Sequence, residues 1–153
     1  MAIDFTNIWQ DKIIDPIIKE LRTEFGSQIS VYSNEAFKPM GNCSIRVHGT
    51  SQALESISQE AFTNEYSVEI SYYLIASNYN EKGVEKLFRD VSRIEQLLFN
   101  KRQPSGRSES SGSYKFYDGR IESIQINSKE GEEEVVDNLL TAKIEYVCIY
   151  AKV

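Results

Sequence analysis

The chain has 153 residues, 41% of them hydrophobic and 26% charged, with a net charge of −6 and a pI near 4.9. That is the size and make-up of one ordinary globular domain, able to bury a core without metals or disulfides, and it excludes a disordered chain. The acidic balance also excludes a protein that grips nucleic acid over a broad surface, because neutralising phosphates needs a basic face. It does not exclude one that surrounds DNA without holding it.

Residues 6–25 carry a helical pattern. Ile14, Ile17, Ile18, Leu21 and Phe25 recur at spacings of three and four and form one apolar stripe. Asp15-Pro16 interrupts it, so either Asp15 caps a helix with Pro16 in its first turn, or an earlier turn begins near Thr6 and kinks there. Gly26 ends the helix. Residues 28–33 and 43–48 read as short strands joined by a loop holding Lys38-Pro39-Met40-Gly41. Residues 51–62 place Leu54, Ile57 and Ala61 at helical spacing, but Ser51, Ser56 and Ser58 weaken a helix, so a loop or irregular helix is expected.

Residues 65–77 alternate as a strand, with Val68, Ile70, Tyr72, Leu74 and Ala76 on one face and Ser67, Glu69, Ser71 and Tyr73 on the other. Residues 81–100 form the clearest helix. Its apolar stripe is Val84, Leu87, Phe88, Val91, Ile94 and Leu98, while Lys86, Arg89, Asp90, Arg93 and Gln96 take the solvated side. Residues 102–113 contain no large apolar side chain and predict a mobile polar loop, as does the acidic stretch within residues 128–137. Between them, strand character at 114–117 and 120–127 flanks Asp118-Gly119, a hairpin-type turn signal. A last strand over 139–151 alternates Ala142, Ile144, Tyr146, Cys148 and Tyr150 with Lys143, Glu145, Val147 and Ile149. The expected fold is one α+β domain spanning the chain: a single mixed, mostly antiparallel sheet with both helices packed on it.

Signals of chemistry are few. His48 is the only histidine, and its odd separation from Cys43 along a strand sends the two side chains to opposite faces. Neither a catalytic pair nor a zinc site is expected from them. The sequence lacks CxxC, HExxH, GxSxG and phosphate-binding glycine motifs, so the expectation is no enzyme, no metal and no cofactor. Cys43 and Cys148 read as buried thiols, bridged only if their strands are neighbours. Glu69 and Glu145 are placed to face each other across strands. Tyrosines at 72, 73, 79, 114, 117, 146 and 150 suit half-buried pleats or, if turned outward, a protein interface. Arg102 and Arg107 in one loop and Glu132, Glu133 and Glu134 in the other are the candidate interface residues; solvated loop charge is the bland reading of both groups. No stretch approaches the ~20 apolar residues needed to span a bilayer. The start MAIDFTNIWQDK lacks the basic opening and apolar core of a signal peptide, so no membrane partner is expected.

Four segments in order carry a resemblance: the helix IIDPIIKELRTEF; the strand YSVEISYYLIAS running into the helix GVEKLFRDVSRIEQLLFN; YDGRIESIQIN after a polar loop; and the closing LLTAKIEYVCIYAKV. In element order, size and acidity the chain resembles the tail-terminator and tail-completion proteins of long-tailed bacteriophages. No invariant motif carries the likeness. The resemblance implies a virion protein, assembled in the host cytoplasm, whose subunits form a homo-oligomeric ring, usually a hexamer. Such a ring caps the tail tube and meets the head-side connector or neck protein, while DNA only passes through its lumen. No catalytic or cofactor residue is implied. A neck or head-completion protein of the same virion shares these features, and a small non-viral regulatory or ligand-binding α+β domain is the other alternative.

Overall fold

The computed structural model describes residues 7–33, 43–57, 62–75, 81–100, 110–111, 114–127 and 139–152. The first helix is built in two parts around Pro16. The Asn7 side chain caps it by accepting from the Gln10 amide at 3.1 Å. Ile8–Ile14 then wind as a π-helical segment in which the Asp15 amide reaches the Gln10 carbonyl, and α1, Asp15–Phe25, continues from it. Winding thus begins well before Pro16, the second of the two readings left open. Proline has no N–H for the Lys12 carbonyl four residues back. The Tyr150 hydroxyl donates to that carbonyl at 2.9 Å and ties the helix to the last strand. Gly26 ends α1 at φ +63°, a left-handed value that side-chain-bearing residues rarely adopt, and its amide bonds the Arg22 carbonyl.

Six strands follow: β1 (Ser30–Ser33), β2 (Cys43–Ile57), β3 (Phe62–Ile75), β4 (Ser110–Ser111), β5 (Tyr114–Asn127) and β6 (Leu139–Lys152), with α2 (Glu81–Asn100) after β3. They form one sheet in the order β1-β2-β3-β6-β5-β4. Among the described residues, only the β1–β2 pair is parallel. The α+β expectation holds.

Both helices lie on one face. It is lined by Cys43, Ile45 and Val47 of β2, by Tyr66, Val68, Ile70, Tyr72 and Leu74 of β3, and by Leu140 to Tyr150 at alternate positions of β6. Ile13, Ile17, Leu21 and Phe25 bring the first helix onto this face; Leu87, Val91, Ile94 and Leu98 bring α2. Arg93 of α2 stacks over the Phe25 ring at 4.5 Å and bonds Glu24, which joins the helices to each other.

Four expectations need correcting. Residues 51–57 are neither loop nor irregular helix. They continue β2 as an exposed ribbon paired with β3, and bulges between Gly49 and Ser51 and between Leu54 and Ser56 reset the register. Ladder bonds to the long β3 outweigh weak helical spacing that has no core to face. Asp118-Gly119 makes no hairpin either. β5 runs through it, pairing with β6 from end to end, and a bulge between Phe116 and Asp118 takes up the extra residue. Finally, Asp90 is buried rather than solvated, and Phe88, placed on the apolar stripe, is exposed. Asp90 lies three residues from Leu87 and four from Ile94, so it sits on the stripe itself.

Candidate functional site

Among the described residues, the sheet face opposite the helices is polar and only partly exposed, with Ser44, Ser71 and Val147 buried on it. There, Ser44, Arg46 and His48 of β2 stand opposite Tyr73, Ser71 and Glu69 of β3, which in turn stand opposite Thr141, Lys143 and Glu145 of β6. Glu69 does stand opposite Glu145, as expected. His48 sits in an interior strand and donates from Nε2 to Glu69 Oε2 at 2.7 Å; the more distant Lys143 ammonium lies 3.8 Å from Glu69 Oε1. Burial lowers the His48 pKa from its ordinary 6.5, and the nearby Glu69 carboxylate only partly offsets this. The geometry gives the reason. With Nε2 donating to Glu69, Nδ1 is buried and finds no hydrogen-bond partner, so a proton added there would be an unsatisfied donor. Ser123 Oγ reaches Glu145 at 3.4 Å. Thr50, Glu69, Ser123, Gln125, Lys143 and Glu145 together line a shallow polar depression.

Cys43 points to the opposite, helix-bearing face, away from His48, as the odd separation requires. There its thiol donates to the Tyr72 hydroxyl at 3.2 Å, and that hydroxyl donates to Asp90 Oδ2 at 2.5 Å. Lys86 closes the network at 2.8 Å from the same carboxylate oxygen. Burial above all, then the bonds to Asp90 and Cys43, pushes the Tyr72 phenol far above its ordinary range, and burial pushes the Cys43 thiol up. Both groups are held in their protonated forms and link α2 to the sheet through Asp90. Cys43 and Cys148 are not joined by a disulfide and lie on strands separated by β3. Among the described residues, no three His, Cys, Asp or Glu side chains converge to hold a metal, and no helix is long and apolar enough to cross a membrane.

The helix-bearing face has a recess of about 550 Å³ between α2 and β5, lined by Leu98, Phe99, Gly119, Ile121, Ile124 and Tyr146 among others. Phe99, at its rim, is 70% exposed. At the far end of the sheet, Trp9 of the π-helical segment seats on Gly49, stacks edge-on against Tyr66 at 5.1 Å and donates to Gln52 Oε1 at 3.0 Å. Past it, Leu54 and Ile57 of β2 stand exposed. Of the tyrosines weighed for an interface, Tyr72, Tyr146 and Tyr150 are buried core, and only Tyr73 is half-exposed on the open face among those whose side chains are described. Arg102, Arg107, Glu132, Glu133 and Glu134 lie outside the described residues, as do the two polar loops apart from β4. Asp90, Leu54, Ile57 and Phe99 were not singled out by the sequence.

No family model matches the sequence, and no curated protein does. Among solved structures, the fold is similar to a chain of the virion of a native gene transfer agent (GTA) particle. The TM-score is 0.54 at 8% identity, over 95% of this chain and 99% of that one. At that identity, the likeness establishes a shared fold.

Proposed function

We propose that the protein is a structural subunit of a tailed-phage-like virion, of the tail-terminator type. It forms a ring, six-fold in the family it resembles, that caps the tail tube and offers its other side to the head-side connector. The observation that carries this reading is the end-to-end match of fold and size with a chain taken from a GTA virion. The electrostatics suit the role. With a net charge of −6, the subunit does not hold DNA that must slide through its ring, because carboxylates facing a narrow lumen repel phosphates. The described titratable groups fit a structural part: each strongly perturbed one is accounted for by burial or by a partner that fixes an element in place. The protein acts by covering and joining surfaces, with no catalytic step.

Negative-stain microscopy of the purified protein, alone and mixed with tail tubes, tests the reading. Rings on tube ends are expected. Binding to the head-side connector with bare tube ends would instead make the chain a neck or head-completion protein. Compact monomers indifferent to both would overturn the virion role.

A further inference from the structure

The two edges of the sheet are open over stretches that complement each other. β1 covers β2 only from Ser44 to Val47, so residues 49–57 have an unpaired outer edge among the described residues. β4 covers β5 only at Tyr114 and Lys115, and among the described residues no strand pairs with the outer edge of residues 119–127. An open edge is a row of backbone donors and acceptors that templates another strand, and proteins that must stay apart block such edges with lysine or proline. The β2 stretch, GTSQALESI, has neither.

Apolar side chains accompany both edges, on the same face. Leu54 and Ile57 stand opposite Asn64 and Phe62, in register with the helix-bearing side of β3, and are 58% and 74% exposed. The recess beside β5 opens on that same helix-bearing side, between α2 and Ile121 and Ile124. Ile126 extends its apolar border along β5.

We propose that a second copy of this chain occupies the recess. Its β2 arm, residues 49–57, adds as a strand to the open edge of β5, and Leu54 and Ile57 enter the recess beside Phe99. Strand direction agrees. β2 is antiparallel to β3, β3 to β6 and β6 to β5, so β2 and β5 run oppositely within one subunit. A neighbour held in the same orientation therefore presents β2 antiparallel to β5, the pairing an added strand forms most readily. Face parity agrees as well, because a sheet continued across the joint keeps its faces. Leu54 and Ile57 arrive on the side that holds the recess. Within one subunit Leu54 is level with Phe116, and the recess lies farther along β5 at Gly119 to Ile124, so each neighbour is displaced along the strand direction. Closed sheets show the same stagger, with strands tilted by about 35–45°. The contact joins unlike surfaces, β2 edge to β5 edge. Repeated, such a contact generates a ring when the rotation closes. The inference rests on the ring reading above and names the surfaces that close it.

The test uses Leu54→Cys and Phe99→Cys, singly, mixed and combined in one chain, on the free protein at high concentration and on protein pelleted with tail tubes. All the altered positions are exposed, and the native cysteines are buried and supply no background. Under mild oxidation, each single variant alone stays unlinked, the mixture gives linked dimers only, and the doubly altered chain gives a ladder ending at the closed ring. Leu54→Asp with Ile57→Asp abolishes assembly while circular dichroism stays unchanged. Wild-type protein that assembles, paired with a mixture that gives no link, overturns this docking and leaves the ring reading standing. Wild-type protein that is monomeric at every concentration and on tail tubes overturns both.

Discussion

Asp90 is 1% exposed, and a carboxylate taken that far out of water is tolerable only with partners. It has them: the Tyr72 hydroxyl at 2.5 Å, Lys86 at 2.8 Å and, farther off, Arg93 at 3.8 Å. Removing the carboxylate with Asp90→Ala strands the buried Tyr72 hydroxyl and opens a cavity, at a cost of about 3–5 kcal/mol. Tyr72→Phe removes one donor and costs about 1–2 kcal/mol. Because both changes break the same bond, the double variant loses less than the sum in urea titrations. Full additivity would show that the two groups do not act together. His48 makes a second prediction. Its folded pKa lies below the ordinary 6.5 because burial disfavours the cation. Between the two values the unfolded chain binds a proton that the folded chain does not, so stability is intact above about pH 6.5 and falls as the pH drops through the folded value. Arg46 and Lys143 push the same way and Glu69 opposes them. The urea midpoint of the wild type should therefore fall further than that of His48→Gln between about pH 7.5 and pH 5. Equal losses would mean that other groups carry the acid sensitivity. Neither His48→Gln nor Cys43→Ala removes an assembly contact, and both should leave ring formation intact.

At the scale of elements, the seating of Trp9 on Gly49 fixes where the β2 arm leaves the body of the domain. A Cβ at Gly49 would lie 2.6 Å from the Trp9 ring, closer than real contacts allow, so Gly49→Val forces the indole off its site. The expected cost is about 1–3 kcal/mol of overpacking. Trp9 is the only tryptophan, so its fluorescence reports the move directly, as a red shift when the ring leaves Tyr66 and Gln52. Unchanged emission and stability would show that the indole does not rest on the arm. Elements whose pattern answers to one buried face were legible in the sequence. α2 matches its expected span, and β3 and β6 keep the expected faces with ends shifted by a few residues, because their periodicity records the core they cover. The outer part of β2 and the Asp118-Gly119 stretch of β5 were not legible. Their strand state comes from pairing with β3 and β6, and local signals of serine content or turn composition say nothing about which strand will pair with them. Asp90 was misplaced for a related reason. Charge sent it to solvent, while its spacing from Leu87 and Ile94 already put it on the buried stripe, and Lys86 one turn earlier was the available clue. The open edges that make up the candidate interface exist only once the strand order is known, so no local pattern could reveal them.

For the whole molecule the governing quantity is charge. Glu132, Glu133 and Glu134 add to an acidic surplus that the described domain shares, and reversing all three to lysine takes the net charge from −6 to zero. Solvated charges contribute little to stability, so the melting curve should stay within about 0.5 kcal/mol of the wild type. Assembly through the β2 and β5 edges involves none of the three, so rings should form and tube ends should be capped as before. What changes is the path of DNA. If the segment faces the lumen, three ammonium groups per subunit, repeated around a ring, create a basic collar that retains phosphates where the native collar repels them. Particles carrying the variant should then be correctly capped yet release DNA slowly. The defect should shrink as salt rises, because the screening length falls from about 10 Å at 0.1 M to about 3 Å at 1 M. A release defect insensitive to salt would point to a steric fault in the ring, not to charge. Normal release from correctly capped particles would place the segment away from the channel, and the repulsion would then have to come from carboxylates elsewhere on the subunit.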